Sequence, residues 1–314
     1  MMALILCLIG FGVLSMFIGP AKIPVTRIFD SSFFEIFKLR FFRLILAVSA
    51  GAGLSLSGVM LQALLRNPLA EPYILGVSSG AGLGAVIGIL FFSASAYIGI
   101  MAFIGGAVTI FIVCKLAKID TRISPENMII AGILVNALFS SILMFFVSNT
   151  SNVKMHSVIW WLLGNLQVYK LSQVIIVSMA GLAGFLIAFI FSRELDAISL
   201  GEEEAVHLGI DMEKLKIIFL LISSLVTSIV VSVCGIIGFV GLMMPHLARR
   251  LVGPGHRMLL VSSVLMGGAF LLLCDMFSRA IMAPKEVPIG VITAFLGAPF
   301  FIYVLKKSRK VYFR

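Results

Sequence analysis

The sequence predicts an all-α, polytopic membrane protein, and three observations carry that expectation. Apolar residues make up 61% of the chain, charged residues only 12%, and mean hydropathy is +1.15. A soluble domain is about half apolar and about a quarter charged, so lipid must cover much of this chain. The apolar residues gather into uncharged runs long enough to cross a bilayer, and Lys and Arg gather between those runs.

A membrane helix needs about 20 apolar residues. The first run, 1–21, has no basic region before it and no small-residue cleavage site after Pro20. It therefore reads as a first span and not as a removed signal. The second run is 44–65. Residues 72–114 carry no charge and hold two helices, joined near Ser93–Tyr97. Runs 127–153 and 171–192 supply the next two. The uncharged stretch 217–248 is interrupted at CGIIGFVG (234–241) and reads as two short helices. Residues 258–274, ending at Asp275, and 286–305, with Glu286 as a border, complete ten spans.

The charges support ten spans over nine. With a cytoplasmic N-terminus, the inner side holds Arg66, Lys115, Lys118, Arg122, Arg193, Lys214, Lys216, Arg249, Arg250, Arg257, Lys306, Lys307, Arg309, Lys310 and Arg314, which is 15 of the 24 basic residues. Nine spans would put the basic tail outside, against the positive-inside bias. The expectation is one transmembrane domain, 1–314, in the cytoplasmic (inner) membrane, with both termini cytoplasmic. Five of the nine outer basic residues crowd into Lys22–Arg43, and KLRFFR (38–43) asks for a reason to be there.

The net charge of +10 does not indicate nucleic acid, because the basic residues are spread in short clusters at span ends and no binding motif accompanies them. Cys7, Cys114, Cys234 and Cys274 are far apart in apolar stretches and read as small buried hydrophobes. Gly51, Ser55 and Ser57–Gly58, and likewise Gly80, Gly84 and Gly88, recur at intervals that let helices pack closely in lipid.

Two polar stretches interrupt this pattern. LLRNPLAEPYILGVSSGAGLG (64–84) carries Pro68, Pro72, Arg66 and Glu71. It is either a tight loop or an irregular segment lining a pathway, with Asn67, Ser78 and Ser79 as its polar groups. LGEEEAVHLGIDMEKLK (200–216) reads as a short cytoplasmic helix stopped by Gly209, then a second helix from near Asp211. A solvated loop is the simpler reading, and a docking element for a soluble subunit the better one. Asp275 and Arg279 are spaced as an i,i+4 pair, and His246 beside Pro245 is assigned no chemistry.

The chain has no GxxxxGK[ST] loop, no Cys/His cluster and no nucleophile elbow. It is expected to bind no cofactor or metal and to catalyse nothing by its own residues.

LSGVMLQALLRNPLAEPYILGVSSGAGLGA, GFVGLMMPHLARRLVG and PKEVPIGVITAFLGAPFFIYVL resemble the FecCD/BtuC-type permeases that import iron–siderophore complexes, haem and cobalamin. The resemblance runs from about residue 40 to the C-terminus. It implies the permease fold of a type II ABC importer, working as a dimer, with a homodimer expected. Two cytoplasmic ATPase subunits would hold the Mg-ATP, and an extracytoplasmic binding protein would deliver substrate. It further implies ATPase coupling through Gly201, Glu202, Glu203, Glu204, Ala205, His207, Leu208 and Gly209, within a loop of about 195–216. Binding-protein docking would fall to Arg40, Arg43 and Arg279. A translocation pathway would pass Asn67, Pro68, Gly76, Ser78, Ser79 and Gly80. Phe41–Phe42 stand where the family commonly has Leu-Pro, which would loosen the turn before the second span. Ferric siderophore is the first expected substrate, cobalamin and haem the alternatives. A secondary transporter driven by an ion gradient is the rival of another class, and it would need carboxylates near the midplane, for which Glu71 and Asp275 are the near candidates.

Overall fold

The computed structural model describes residues 1–19, 31–92, 95–119, 122–168, 170–200 and 211–312. Within them lie twelve α-helices: α1 Met2–Phe17, α2 Ser31–Leu64, α3 Val77–Phe91, α4 Ser95–Ala117, α5 Pro125–Ser148, α6 Asn152–Leu162, α7 Leu171–Ile190, α8 Ser192–Leu200, α9 Met212–Cys234, α10 Val240–Val252, α11 His256–Ala280 and α12 Ile289–Tyr312. A 3-10 turn, Pro72–Leu75, precedes α3, and Lys118–Ile119 pairs antiparallel with Arg122–Ile123 between α4 and α5.

Each of the ten expected spans has a helix: α1 to α5, α7, and α9 to α12. Six of these, α2, α4, α5, α7, α9 and α11, are long and apolar enough to cross a bilayer alone. Three shorter apolar stretches, Met2–Phe17, Val77–Phe91 and Ile289–Val304, accompany them. The 13-residue α10 rises only about 20 Å, well short of a hydrocarbon core of about 30 Å. Helices α6 and α8 are shorter still and were not expected. At 11 and 9 residues they leave no hydropathy signal of span length.

At 34 residues, α2 is about 51 Å long and is the central pillar, packing against α7, α9, α10 and α11. It runs without a break from Ser31 through KLRFFR, so the expected turn before the second span does not exist. Phe42 has the backbone N–H that a proline would lack, and the helix simply continues. Two contacts along α2 require glycine. A methyl group on Gly51 would enter the Gly267 carbonyl of α11, and one on Gly58 would enter the Gly241 carbonyl of α10. The small residues of the second span are thus packing surfaces between helices of one chain. Gly80 and Gly84 do the same for α3 against α4.

Candidate functional site

Three polar clusters are built into the apolar bundle. The first lies where α11 ends and KLRFFR begins. Arg43 donates from Nε to Asp275 Oδ1 at 2.8 Å, and from Nη1 to both Glu286 oxygens at 2.9 Å. Arg279 Nη2 sits 2.9 Å from Asp275 Oδ2, the i,i+4 pair expected from the sequence. Arg279 Nη1 also donates to the carbonyls of Ser15 and Ile18, and Arg40 Nη1 to that of Met16 at 2.8 Å. These are the last carbonyls of α1, which have no partner inside their own helix and form the negative end of its dipole. Two guanidiniums therefore hold the end of α1, while Asp275, fully buried, is shared by two more charge contacts. Val287 N–H donates to the Ser278 carbonyl, pinning the loop that carries Glu286 back onto α11.

The second cluster is a break in the helices. Between α9 and α10, Gly235 (φ 68°) has a positive φ and Phe239 (φ 69°) is left-handed, and residues 235–239 leave the helix. Broken backbone inside a bundle needs partners for its polar groups. Tyr73 supplies them: its hydroxyl donates to the Ile237 carbonyl at 3.0 Å and accepts from the Ile237 N–H at 3.1 Å. The Glu71 carboxylate lies beside the backbone of Phe239, at the start of α10. Two further interruptions join here. Asn165 N–H donates to the Cys234 carbonyl at 2.8 Å, Ile289 N–H to Gly164 at 3.2 Å and Gly290 N–H to Leu163 at 3.0 Å. The ends of α6 and α9 and the start of α12 are thus stitched together by main-chain bonds.

The third cluster lies at the opposite end of α11 from Asp275. The N-cap of α11 is Gly255, which has no side chain to offer. Asp196 of α8 takes its place: Oδ1 accepts from His256 N at 2.8 Å and contacts His256 Nδ1 at 2.7 Å. Nearby, Asp211 caps α9 as expected, accepting from Lys214 N at 3.2 Å. The exposed Lys214 side chain also bonds the Asp211 carboxylate, which holds its pKa below the usual carboxylate range. Lys216, buried on α9, pairs with Glu213 at 2.9 Å.

The expected site residues fall unevenly on this frame. Gly201, Glu202, Glu203, Glu204, Ala205, His207, Leu208 and Gly209 lie outside the described residues. Asn67 shapes a turn, its Oδ1 accepting from Leu69 N at 2.9 Å, with Pro68 exposed beside it. Gly76 (φ 77°), Ser79 and Gly80 are buried. Ser79 Oγ bonds the Gly76 carbonyl, and Gly80 abuts Thr109 and Gly105 of α4. Gly76 and Gly80 both lie against Thr109 of α4, and Gly76 also meets Gly132 of α5. Ser78 is half-buried.

Arg40, Arg43 and Arg279 do gather at one end, as a docking surface requires. Their guanidiniums are engaged within the chain, however, and Arg40 and Arg279 are buried against α1. Lys38, which the sequence left unexplained, is an exposed helix-surface residue 3.6 Å from Glu35. Sequence reasoning passed over Tyr73, Glu286, Asp196 and His256. The interruption at CGIIGFVG could have led to Tyr73 and Glu71, since unpaired backbone in the bundle calls for polar groups from another irregular stretch.

The family model described as the FecCD transport family matches residues 6–307. A cobalamin import system permease protein, BtuC of Halobacterium salinarum, is 38% identical over 270 residues, covering 85% of this chain and 72% of its own. An Fe(3+)-citrate import system permease protein, YfmE of Bacillus subtilis, is 35% identical over 312 residues, covering 98% of this chain and 93% of its own. A solved structure described as an inward-facing metal-chelate type ABC transporter superposes with a TM-score of 0.88 at 31% identity, covering 98% of both chains.

Proposed function

The chain belongs to the FecCD transport family, and from that premise we propose that it is the membrane permease through which an ABC importer carries a ferric siderophore inward. It is an ABC transporter permease and a multi-pass membrane protein. The observation that carries the reading is the family match over 6–307 together with a solved ABC transporter superposing along nearly the whole chain. A ferric cargo is the first reading because the ferric citrate permease resembles 98% of this chain at 35% identity, against 85% at 38% for the cobalamin permease. Cobalamin or haem import by the same mechanism is the second reading.

In this proposal the chain is one transmembrane domain with both ends cytoplasmic, paired with a second copy of itself. Two soluble ATPase subunits hold Mg-ATP and press on residues 201–209. A binding protein docks at the outer end, where Arg40, Arg43 and Arg279 lie. An acidic partner there must compete with Asp275 and Glu286 for Arg43, and the side chain of Glu286 is the more exposed of the two. The arrangement does not favour an ion-gradient transporter. Asp275, one of the two near candidates for a coupling carboxylate, is neutralised by two guanidiniums.

The test is purification with the partner ATPase, reconstitution into vesicles, and addition of the binding protein loaded in turn with ferric citrate, a ferric hydroxamate, haem and cobalamin. Faster ATP hydrolysis and uptake with a ferric complex is the expected result. Stimulation by cobalamin or haem alone would replace the cargo, and no ATP-dependent uptake of any of the four would overturn the importer.

A further inference from the structure

We propose that Asp196 and His256 are positioning residues that join α8 to α11, and that movement of the inner-face segment reaches the outer end of the permease through this contact. The inference rests on the ABC importer reading above. Asp196 is the fifth residue of α8, which ends at Leu200, immediately before the residues on which the ATPases are proposed to act. Its Oδ1 takes both the main-chain N–H and Nδ1 of His256 at 2.8 and 2.7 Å. The His256 side chain is 3% exposed and that of Asp196 45%, so the imidazole end of the bond is packed in the protein and the carboxylate end reaches its surface. It is also the side-chain cap that Gly255 cannot provide, and a helix N-terminus prefers such a carboxylate.

Beyond His256, α11 is continuous for 25 residues, about 37 Å, with no proline inside it. Along its length it interlocks with α2, Gly267 against Gly51 and Gly268 against Val48. Its far end carries Asp275 and Arg279, which hold Arg43 and the last carbonyls of α1. Packed glycine contacts and buried charges resist sliding, so α8, α11, α2 and the end of α1 move as one body. A displacement of α8 at the inner face then becomes a displacement of the Arg43–Asp275–Glu286 cluster.

The experiment uses the full permease assembled with its ATPase, with the four native cysteines replaced by alanine. Spin labels are placed at Asn149→Cys, at the end of α5, and Lys285→Cys, just beyond α11. Both parent residues are exposed. The distance between the labels is measured before and after trapping with Mg-ATP and vanadate. With Asp196 intact the distance shifts on trapping. Asp196→Asn, which keeps a cap acceptor, retains the shift, whereas Asp196→Ala loses more than half of it while assembly and ATP hydrolysis persist. A shift of equal size in Asp196→Ala, or no shift with Asp196 intact, overturns the proposal. Loss of assembly in both variants does so too, by reducing the pair to a structural brace. Failure of the unaltered chain to bind or activate an ATPase would instead remove the importer reading on which the inference stands.

Discussion

Arg43 and Asp275 lie 232 positions apart in sequence, yet Arg43 Nε and Nη2 both lie 2.8 Å from the same Asp275 oxygen. The contact ties α2 to the end of α11. Asp275 is fully buried and Arg43 nearly so, and their energetics follow from that. Removing one partner from a buried pair strands the other and costs about 3–5 kcal/mol, whereas replacing both by apolar groups is often neutral. Asp275→Ala should therefore lower the melting temperature in detergent sharply. Arg43→Met with Asp275→Leu should recover only part of the loss, because Arg279 and Glu286 then lose their partners. A double variant as unstable as the sum of the singles would show that the pair is not the source of the stability.

The same geometry changes what a charge reversal does. If Arg40 and Arg43 were free docking groups, Arg43→Glu would abolish binding-protein affinity and leave the permease intact. Beside Asp275 and Glu286 it instead gathers three carboxylates at one site, and like charges at such range repel by several kcal/mol. The expected outcome is loss of folded protein from the membrane fraction before any docking measurement is possible. Glu286→Gln leaves Arg43 with Asp275 and frees part of its guanidinium. It should preserve folding and raise affinity for an acidic partner, measurable by titrating the binding protein against the permease in nanodiscs.

Much of the fold was legible in the sequence, and the limits are physical. Uncharged runs located ten of the helices because lipid demands them, and the interruption at 234–241 was visible because Gly-rich backbone punctuates an apolar run. Helices α6 and α8 were not legible, being too short for a hydropathy window. Arg43 was visible as an oddity but its partners were not, since Asp275 and Glu286 come from the other end of the chain and proximity across 232 residues leaves no local signal. Gly76, Ser79 and Gly80 read as pathway residues because small polar residues serve equally for lining a passage and for packing two helices, and Gly80 does pack against α4.

Tyr73→Phe keeps the ring and removes the hydroxyl that bonds both main-chain groups of Ile237. Leaving a buried polar group unpaired costs about 1–3 kcal/mol, and here two backbone groups lose their partner together. The variant should melt several degrees lower and transport more slowly, with the same amount of protein in the membrane. An unchanged melting curve would mean that another group takes over the Ile237 N–H and carbonyl.

Gly58→Leu should prevent α2 from reaching α10, because even the first carbon of a side chain would enter the Gly241 carbonyl. The obstruction is backbone and cannot be turned aside, so the cost exceeds the roughly 1–3 kcal/mol of ordinary overpacking. Gly10→Leu is the control, since a side chain there meets nothing within 4 Å. Loss of folded protein in the first and normal yield in the second, judged by size-exclusion profiles in detergent, is the expected pair of results.

Phe239 separates stability from function. It sits at φ 69°, where a residue with a side chain loses about 1–2 kcal/mol relative to the right-handed region and glycine loses almost nothing. Its ring is half-exposed and packs over Gly297 of α12, while nothing approaches the neighbouring Gly238 within 4 Å of where a side chain would begin. A strained, partly exposed aromatic at a helix break, next to open space, points to a role that glycine would not fulfil. Phe239→Gly relieves the backbone but gives up ring packing, so its melting temperature should stay within a few degrees of the parent while uptake per ATP hydrolysed falls. Phe239→Val keeps the strain, adds a β-branch that the left-handed region tolerates poorly, and should be the less stable of the two. If Phe239→Gly transports as well as the parent, the ring has no part in transport and the strain at position 239 serves only to turn the chain from α9 into α10.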